Sequence, residues 1–235
     1  MHARIALAGA LAFAVALGLA AAVPLSPPSE VVVPTPTPRH TAPPLVGGEP
    51  ASDGVGRGSR ARARVGPLRI PIAGQGIPEE AALLPEATRD YRAGVHEGID
   101  FAVAAGTPVL AAADGEVIRA DRTFTDWSTE ERTAALAEAV TLSRTPARTL
   151  DLIRGRQVWV DHGRGIVTRY AHLESVGRVT VGDRVRAGEV IGAVGSSGLP
   201  EGGPHLHFEI RIGESYLGDG LTPAELASAL RAAFR

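Results

Sequence analysis

The chain has 235 residues, a formal net charge of −2, no cysteine, and 24 basic residues that are all arginine. That length holds one domain of about 150 residues with extensions, and the charge gives no electrostatic case for nucleic acid as a partner. The missing residues exclude a cysteine nucleophile, thiolate metal ligands, disulfides and any cofactor carried on lysine, so a metal must be held by histidine and carboxylate.

The first element is an apolar run from Ile5 to Val23, behind a single Arg4 and ending in Ala20-Ala21-Ala22. It predicts export, either as a signal peptide over 1–23 cleaved near Ala22 or as an uncleaved anchor with its amino end in the cytoplasm. The expected location is extracytoplasmic: periplasm, cell envelope or secreted, tethered to the inner membrane if the segment stays. Residues 24–66 are rich in Pro, Thr, Gly and Arg, with Val33-Pro34-Thr35-Pro36-Thr37-Pro38 as extended polyproline, and predict a disordered linker. The folded domain is expected over 67–220.

Within it, Val109–Ala113 and Glu116–Ile118 predict a hairpin around Asp114-Gly115. Ser128-Thr129-Glu130-Glu131 is a capping box for a helix to about Leu142, and Thr145-Pro146 opens a shorter one ending before Gly155. Together they form a helical hairpin inserted at about 122–156. Val158–Val160 and Ile166–Tyr170 predict a second β-hairpin around Asp161-His162-Gly163-Arg164-Gly165, with further strands at Val179–Val181 and Val185–Val194. Thr222-Pro223-Ala224-Glu225 caps a final helix within 221–235, with Leu226 and Leu230 on one face. Short strands with frequent glycine turns predict an antiparallel all-β core.

Pro204-His205-Leu206-His207-Phe208-Glu209-Ile210 alternates polar and apolar residues with period two, the pattern of a strand. His205, His207 and Glu209 then share one face, which is either a metal or acid–base site or a polar outer surface that happens to hold histidines. Glu209 reads either as a surface carboxylate or as a group that orients a histidine from behind. His96-Glu97-Gly98-Ile99-Asp100 reads as a loop running into a strand: either a loop histidine with a capping aspartate or, with Gly98 letting the backbone bend, two side chains that can reach one ion. Tyr170-Ala171-His172-Leu173 ends a strand. Gly192–Gly198 leads through Gly202-Gly203-Pro204 to His205, and the strand that follows argues against a phosphate-binding loop, which needs a helix.

Together these residues resemble the lysostaphin/LytM-type zinc metallopeptidases, cell-wall endopeptidases built on the duplicated hybrid motif. The resemblance rests on His-x-x-x-Asp at His96 and Asp100, Tyr-x-His-Leu at Tyr170–Leu173, and the glycine-rich loop into His205-x-His207, in the family order. Asp161-His162-Gly163 and Val185–Gly192 look like the family's intervening strands, so the likeness covers about residues 67–212. It implies a mainly β fold, an antiparallel β-sheet/barrel-sandwich core, here with an inserted helical hairpin and a C-terminal helix. It also implies one zinc ion per chain held by His96, Asp100 and His207, with His172 and His205 as the catalytic histidines. Three such ligands leave a fourth tetrahedral position for water, whose pKa zinc lowers toward ~7. One histidine would take the proton and pass it to the leaving amine, and the other would stabilise the oxyanion. The implied function is an exported zinc metalloendopeptidase that hydrolyses peptide bonds in bacterial peptidoglycan, whose peptides are the expected partners. The alternative is a catalytically silent or autoinhibited module that activates another wall hydrolase; the complete set of ligand positions favours the enzyme.

Two stretches depart from the family pattern. Residues 77–94 lack the Ser-x-Phe-Gly-x-Arg signature of many relatives and contain Leu84-Pro85-Glu86-Ala87-Thr88-Arg89-Asp90-Tyr91-Arg92 instead. The insertion at 122–156 is the other. Both are expected at the rim of the substrate groove, where the hairpin is either a lid or docking element for a regulatory protein, or a surface decoration.

Overall fold

The computed structural model describes residues 67–234. The apolar leader and linker read from residues 1–66 lie outside the described residues. No helix among the described residues is long and apolar enough to cross a membrane.

The fold begins with strands β1 (Thr88–Arg89), β2 (Gly94–Val95), β3 (Ile99–Phe101), β4 (Pro108–Leu110) and β5 (Gly115–Ala120). Helices α1 (Thr129–Thr141) and α2 (Ala147–Arg154) follow. The chain then runs through β6 (Val158–Asp161), β7 (Ile166–Ala171), β8 (Leu173–Val176), β9 (Arg184–Val185), β10 (Val190–Val194), β11 (Leu206–Ile212) and β12 (Ser215–Tyr216) to α3 (Pro223–Ala233). The largest sheet runs β12-β11-β7-β6-β5-β9, with β3 also paired to β11, and a smaller sheet runs β4-β10-β8. Every pair is antiparallel, as the short strands and glycine turns predict.

Strand β11 explains why the site sits where it does. Leu206, Phe208 and Ile210 are buried in the main core with Ile99, Phe101, Tyr170, Leu226 and Leu230. Removing one such side chain from water stabilises the fold by about 1.5–3 kcal/mol, so this face fixes the strand's orientation. The opposite face then carries His207 and Glu209 inward over the sheet, where they too are buried. Helix α3 starts at the predicted Thr222–Glu225 capping box and buries Leu226 and Leu230 against this core.

The hairpin predicted at residues 109–118 does not form. β4 pairs with β10, whereas β5 pairs with β6 and β9 in the other sheet. Neither Asp114 nor Gly115 has the positive φ that a two-residue hairpin turn requires. Gly115 serves close packing instead: a Cβ there would lie 2.5 Å from the Asp161 carbonyl oxygen. Val179–Val181 forms no strand, and Val185–Val194 is split into β9 and β10 by a turn containing Gly188 at φ +85°. The hairpin of β6 and β7 is present, pairing Val158 with Tyr170 and Asp161 with Val167.

The insertion occupies the connection between β5 and β6. Ser128 and Glu131 cap α1 reciprocally, as the sequence predicts. Helix α2 is tied to β5 by two bonds from Arg119 to the Asp151 carboxylate, at 2.6 and 3.1 Å. At its other end the insertion grips the glycine-rich loop. Trp127 Nε1 donates to the Gly198 carbonyl at 2.8 Å, the Asp126 carboxylate accepts from the Gly198 N–H, and Arg132 pairs with Glu201.

Candidate metal centre

The pairing of β3 with β11 places Asp100 directly opposite His207. His96 lies in the turn just before β3, as the sequence predicts for a loop entering a strand. A Cβ on Gly98 would lie 2.5 Å from the Phe208 carbonyl oxygen and 2.9 Å from His207 Cε1, so only glycine lets this turn approach β11.

The remaining ring nitrogens decide what the cluster can bind. His96 Nδ1 lies 2.9 Å from the Leu84 carbonyl oxygen, which only accepts, so Nδ1 carries the proton. His207 Nε2 lies 3.0 Å from Glu209 Oε1 and donates to it. In the neutral rings, His96 Nε2 and His207 Nδ1 are therefore lone-pair acceptors. They face each other at 3.0 Å, and they face Asp100 Oδ1 at 2.9 and 2.8 Å. Three acceptors converging on one point need a proton or a cation among them. His96, Asp100 and His207 form a group able to hold a metal ion, and two imidazole nitrogens with one carboxylate oxygen suit zinc and other first-row divalent ions.

Burial opposes charge on His207, but hydrogen bonds to Asp100 and Glu209 overcome it and raise its pKa to about 9. Burial likewise opposes ionisation of Asp100, yet the hydrogen bonds from His207 and His96 hold its carboxyl well below the usual range. His96 is shifted down, chiefly by burial. In the absence of a cation these shifts favour a proton held within the group, the place that a metal ion would take.

Glu209 is no surface carboxylate: its exposure is 0%. Besides His207, its Oε1 accepts from Arg154 Nε at 2.6 Å, while its Oε2 lies 3.3 Å from Arg211 and 3.5 Å from Arg169. Against the cost of burial, the His207 hydrogen bond and the Arg154 and Arg211 charges keep it ionised. Arg169 in turn lies 3.8 Å over the Trp159 ring, whose other neighbour is Arg119. The alternation of β11 puts Glu209 on the histidine face; of the arginines that enclose it, Arg211 is on the same strand, Arg169 is its register partner on β7, and Arg154 comes from α2.

His172 and His205 form the second half of the site, with ring centroids 4.5 Å apart. His172 Nδ1 donates to the Ser197 carbonyl at 2.8 Å, and His205 Nδ1 donates to the Gly203 carbonyl at 2.9 Å. Each neutral ring therefore keeps Nε2 as an acceptor, and His205 Nε2 lies 3.9 Å from Asp100 Oδ1. His172 sits at φ +59°, a left-handed conformation held by hydrogen bonds on both sides of the residue. Burial, followed by repulsion from His205 and His207, pushes its pKa down to about 3.

All five predicted residues line one open cleft of about 260 Å³. Both departing stretches border it: Leu83, Arg89 and Tyr91 from the first, and Leu150, Ile153 and Arg154 of α2 from the second. Sequence reasoning missed Arg89, whose Nη2 lies 3.2 Å from Asp100 Oδ2, and Arg154. No local pattern marks either; an arginine ending a helix reads as a favourable charge at the helix terminus.

Several known proteins resemble the chain. It is 36% identical over 143 residues to the DD-carboxypeptidase/endopeptidase Mpg of Neisseria meningitidis, covering 60% of this chain and 26% of that one. It is 32% identical over 121 residues to the peptidoglycan DD-endopeptidase ShyA of Vibrio cholerae, covering 52% of this chain and 21% of the relative. The chain thus spans roughly a quarter or less of the length of these curated relatives. Among solved structures, lysostaphin from Staphylococcus simulans is 29% identical, with a TM-score of 0.37, over 58% of this chain and 44% of that one. Residues 94–218, more than half of the chain, match the family model described as Peptidase family M23. That span holds both strands of the metal group and the whole insertion between them, and the chain belongs to peptidase family M23.

Proposed function

We propose that this chain is an exported, metal-dependent endopeptidase that hydrolyses peptide bonds in bacterial peptidoglycan. The observation that carries the reading is the convergence of His96 Nε2, Asp100 Oδ1 and His207 Nδ1, three acceptors within 3.0 Å of one another at the floor of an open cleft. His96, Asp100 and His207 hold one zinc ion per chain. Zinc bound there supplies a Lewis acid for a peptide carbonyl and acidifies water at neutral pH.

The protein's own groups do the rest. His172 and His205 present unprotonated Nε2 atoms beside the metal group, so the pair can accept a proton from water and return it to the leaving amine. Stabilising the developing oxyanion falls to an imidazole that carries a proton on Nε2 as well as Nδ1, because each Nδ1–H is already given to a backbone carbonyl. Arg89 steadies the second oxygen of Asp100. The names of the relatives support peptidoglycan as the substrate: ShyA is called a peptidoglycan DD-endopeptidase and Mpg a DD-carboxypeptidase/endopeptidase. The apolar run Ile5–Val23 supports export, as a cleaved signal or a membrane anchor, and residues 24–66 act as a tether for the domain over 67–220 and its terminal helix.

The test is to incubate the full chain, assayed for bound metal, with purified peptidoglycan and to read released fragments by mass spectrometry beside a His205→Ala variant. New peptide termini that the variant does not produce are expected, with about one zinc per chain. Zinc without cleavage would replace this reading with an autoinhibited or partner-activated enzyme, and neither zinc nor cleavage would replace it with an activator module.

A further inference from the structure

We infer that Arg154, the last residue of inserted helix α2, is a positioning residue for the metal group, acting on His207 through Glu209. The insertion is then a working part of the site. This rests on the metal reading above.

Arg154 and Glu209 are both buried, with 8% and 0% of their side chains exposed. One oxygen, Glu209 Oε1, accepts from Arg154 Nε at 2.6 Å and from His207 Nε2 at 3.0 Å. Where the guanidinium holds that oxygen decides how the imidazole turns, and so where Nδ1 points. The other arm of Arg154 bonds Glu97 Oε2 at 2.9 Å, next in the chain to His96. The Arg154 carbonyl also accepts from the His172 N–H at 2.8 Å. Its side chain and backbone therefore reach both halves of the site. Its own position is set from outside the site, because Arg119 of β5 grips Asp151 one turn earlier on α2.

The competing account is an ion pair that only offsets the Glu209 charge. Arg211 and Arg169 already lie 3.3 and 3.5 Å from Glu209, but both approach Oε2. Arg154 is the arginine on Oε1, the oxygen that touches His207. Its distinctive contribution is orientation, the usual work of a group behind a metal ligand.

The experiment uses the full chain with Arg154→Met, Arg154→Lys and Glu209→Gln, and Arg154→Met combined with Glu209→Gln. It measures zinc affinity by chelator competition, the visible spectrum of the cobalt-substituted protein, melting of the metal-free protein, and kcat and KM on a cross-linked peptidoglycan peptide. Arg154→Met is expected to weaken zinc about 10–100-fold, to change the cobalt bands and to lower kcat more than it raises KM. Arg154→Lys keeps the charge but cannot hold Glu209 and Glu97 with one planar fork, so an intermediate loss is expected. In the Glu209→Gln background, Arg154→Met should add little. Wild-type zinc affinity and cobalt bands in a folded Arg154→Met overturn the inference, as does a loss fully additive with Glu209→Gln. If Arg154→Met does not fold, Arg154→Lys decides: an intermediate loss with altered bands supports the inference, and wild-type values overturn it. A wild-type chain that binds no zinc removes the metal reading and this inference together; wild-type binding that the variants match removes this inference alone.

Discussion

His207 and Asp100 are register partners across β11 and β3, so the sheet itself sets the 2.8 Å between Nδ1 and Oδ1. Their neighbours Leu206–Phe101 and Phe208–Ile99 pair in the same register and face the core. A slip of one residue would turn His207 into that core and expose Phe208. Hydrophobic burial on one face of β11 thus holds the ligand geometry on the other.

Gly98→Ala tests that coupling. The added Cβ meets the Phe208 carbonyl oxygen and His207 Cε1, so β11 must shift. Overpacking of this kind costs about 1–3 kcal/mol. Denaturant unfolding should show a loss in that range and a zinc titration should show weaker binding; a wild-type midpoint with unchanged affinity would refute the role given to Gly98.

The second pair of histidines should separate catalysis from metal binding. His205→Ala and His172→Asn are expected to retain zinc while cleavage falls about 10²–10⁴-fold. Asparagine is the better probe at His172, because that backbone sits at φ +59° and asparagine tolerates the left-handed region. Metal analysis beside fragment release checks both; loss of zinc in either variant would place that histidine in the metal group.

Chelation should abolish cleavage and added zinc should restore it. The ligand atoms come from residues 107 or more positions apart on two strands, with His96 beside them, so the unfolded chain offers no equivalent site. Free zinc at 100 times its dissociation constant should then stabilise the fold by about 2.7 kcal/mol. A melting temperature indifferent to zinc would count against the centre.

Acid should destabilise the protein through His172. Its folded pKa is about 3, whereas a free imidazole titrates near ~6.5. As pH falls, the unfolded chain takes up a proton that the folded chain refuses. The contribution of His172 is therefore complete above the unfolded value and declines as pH drops from about 6.5 toward 3. Its imidazole resonances should stay flat from about pH 8 to about pH 5, and His172→Asn should make stability less sensitive to acid. A His172 signal that titrates near its unperturbed value would contradict this.

The grip of the insertion on the glycine-rich loop is open to a single substitution. Trp127→Phe removes the Nε1 donor and leaves the carbonyl of buried Gly198 without it. The expected cost is about 1–3 kcal/mol, and KM should rise as the loop before His205 loosens. Unchanged unfolding and unchanged KM would show that the other contacts of the loop suffice.

Much of the site was legible in the sequence because its signals are local. The alternation of residues 204–210 puts the two histidines and Glu209 on one face, and Gly98 between His96 and Asp100 marks a close turn. The β6–β7 hairpin was legible too: Gly163, Arg164 and Gly165 take three successive positive φ values, a turn that glycine flanks announce. Asp114-Gly115 carries a similar signal with the opposite outcome, since a turn dipeptide does not say which strands will pair. The pairing of Glu209 with Arg154 was beyond reach for a related reason. Fifty-five positions separate them, and only the packing of α2 against the sheet shows that one encloses the other.

The sandwich of Trp159 between Arg169 and Arg119 has a practical consequence. The chain has two tryptophans, and each is coupled to a different wall of the cleft. Trp127 is bonded to the glycine-rich loop, and Trp159 lies under the arginine that faces Glu209. Indole emission responds to nearby charge and to water, so the protein carries two native optical reporters that need no label. Replacing either one by phenylalanine leaves a single reporter, and the remaining signal would separate events at the loop from events beneath the metal group.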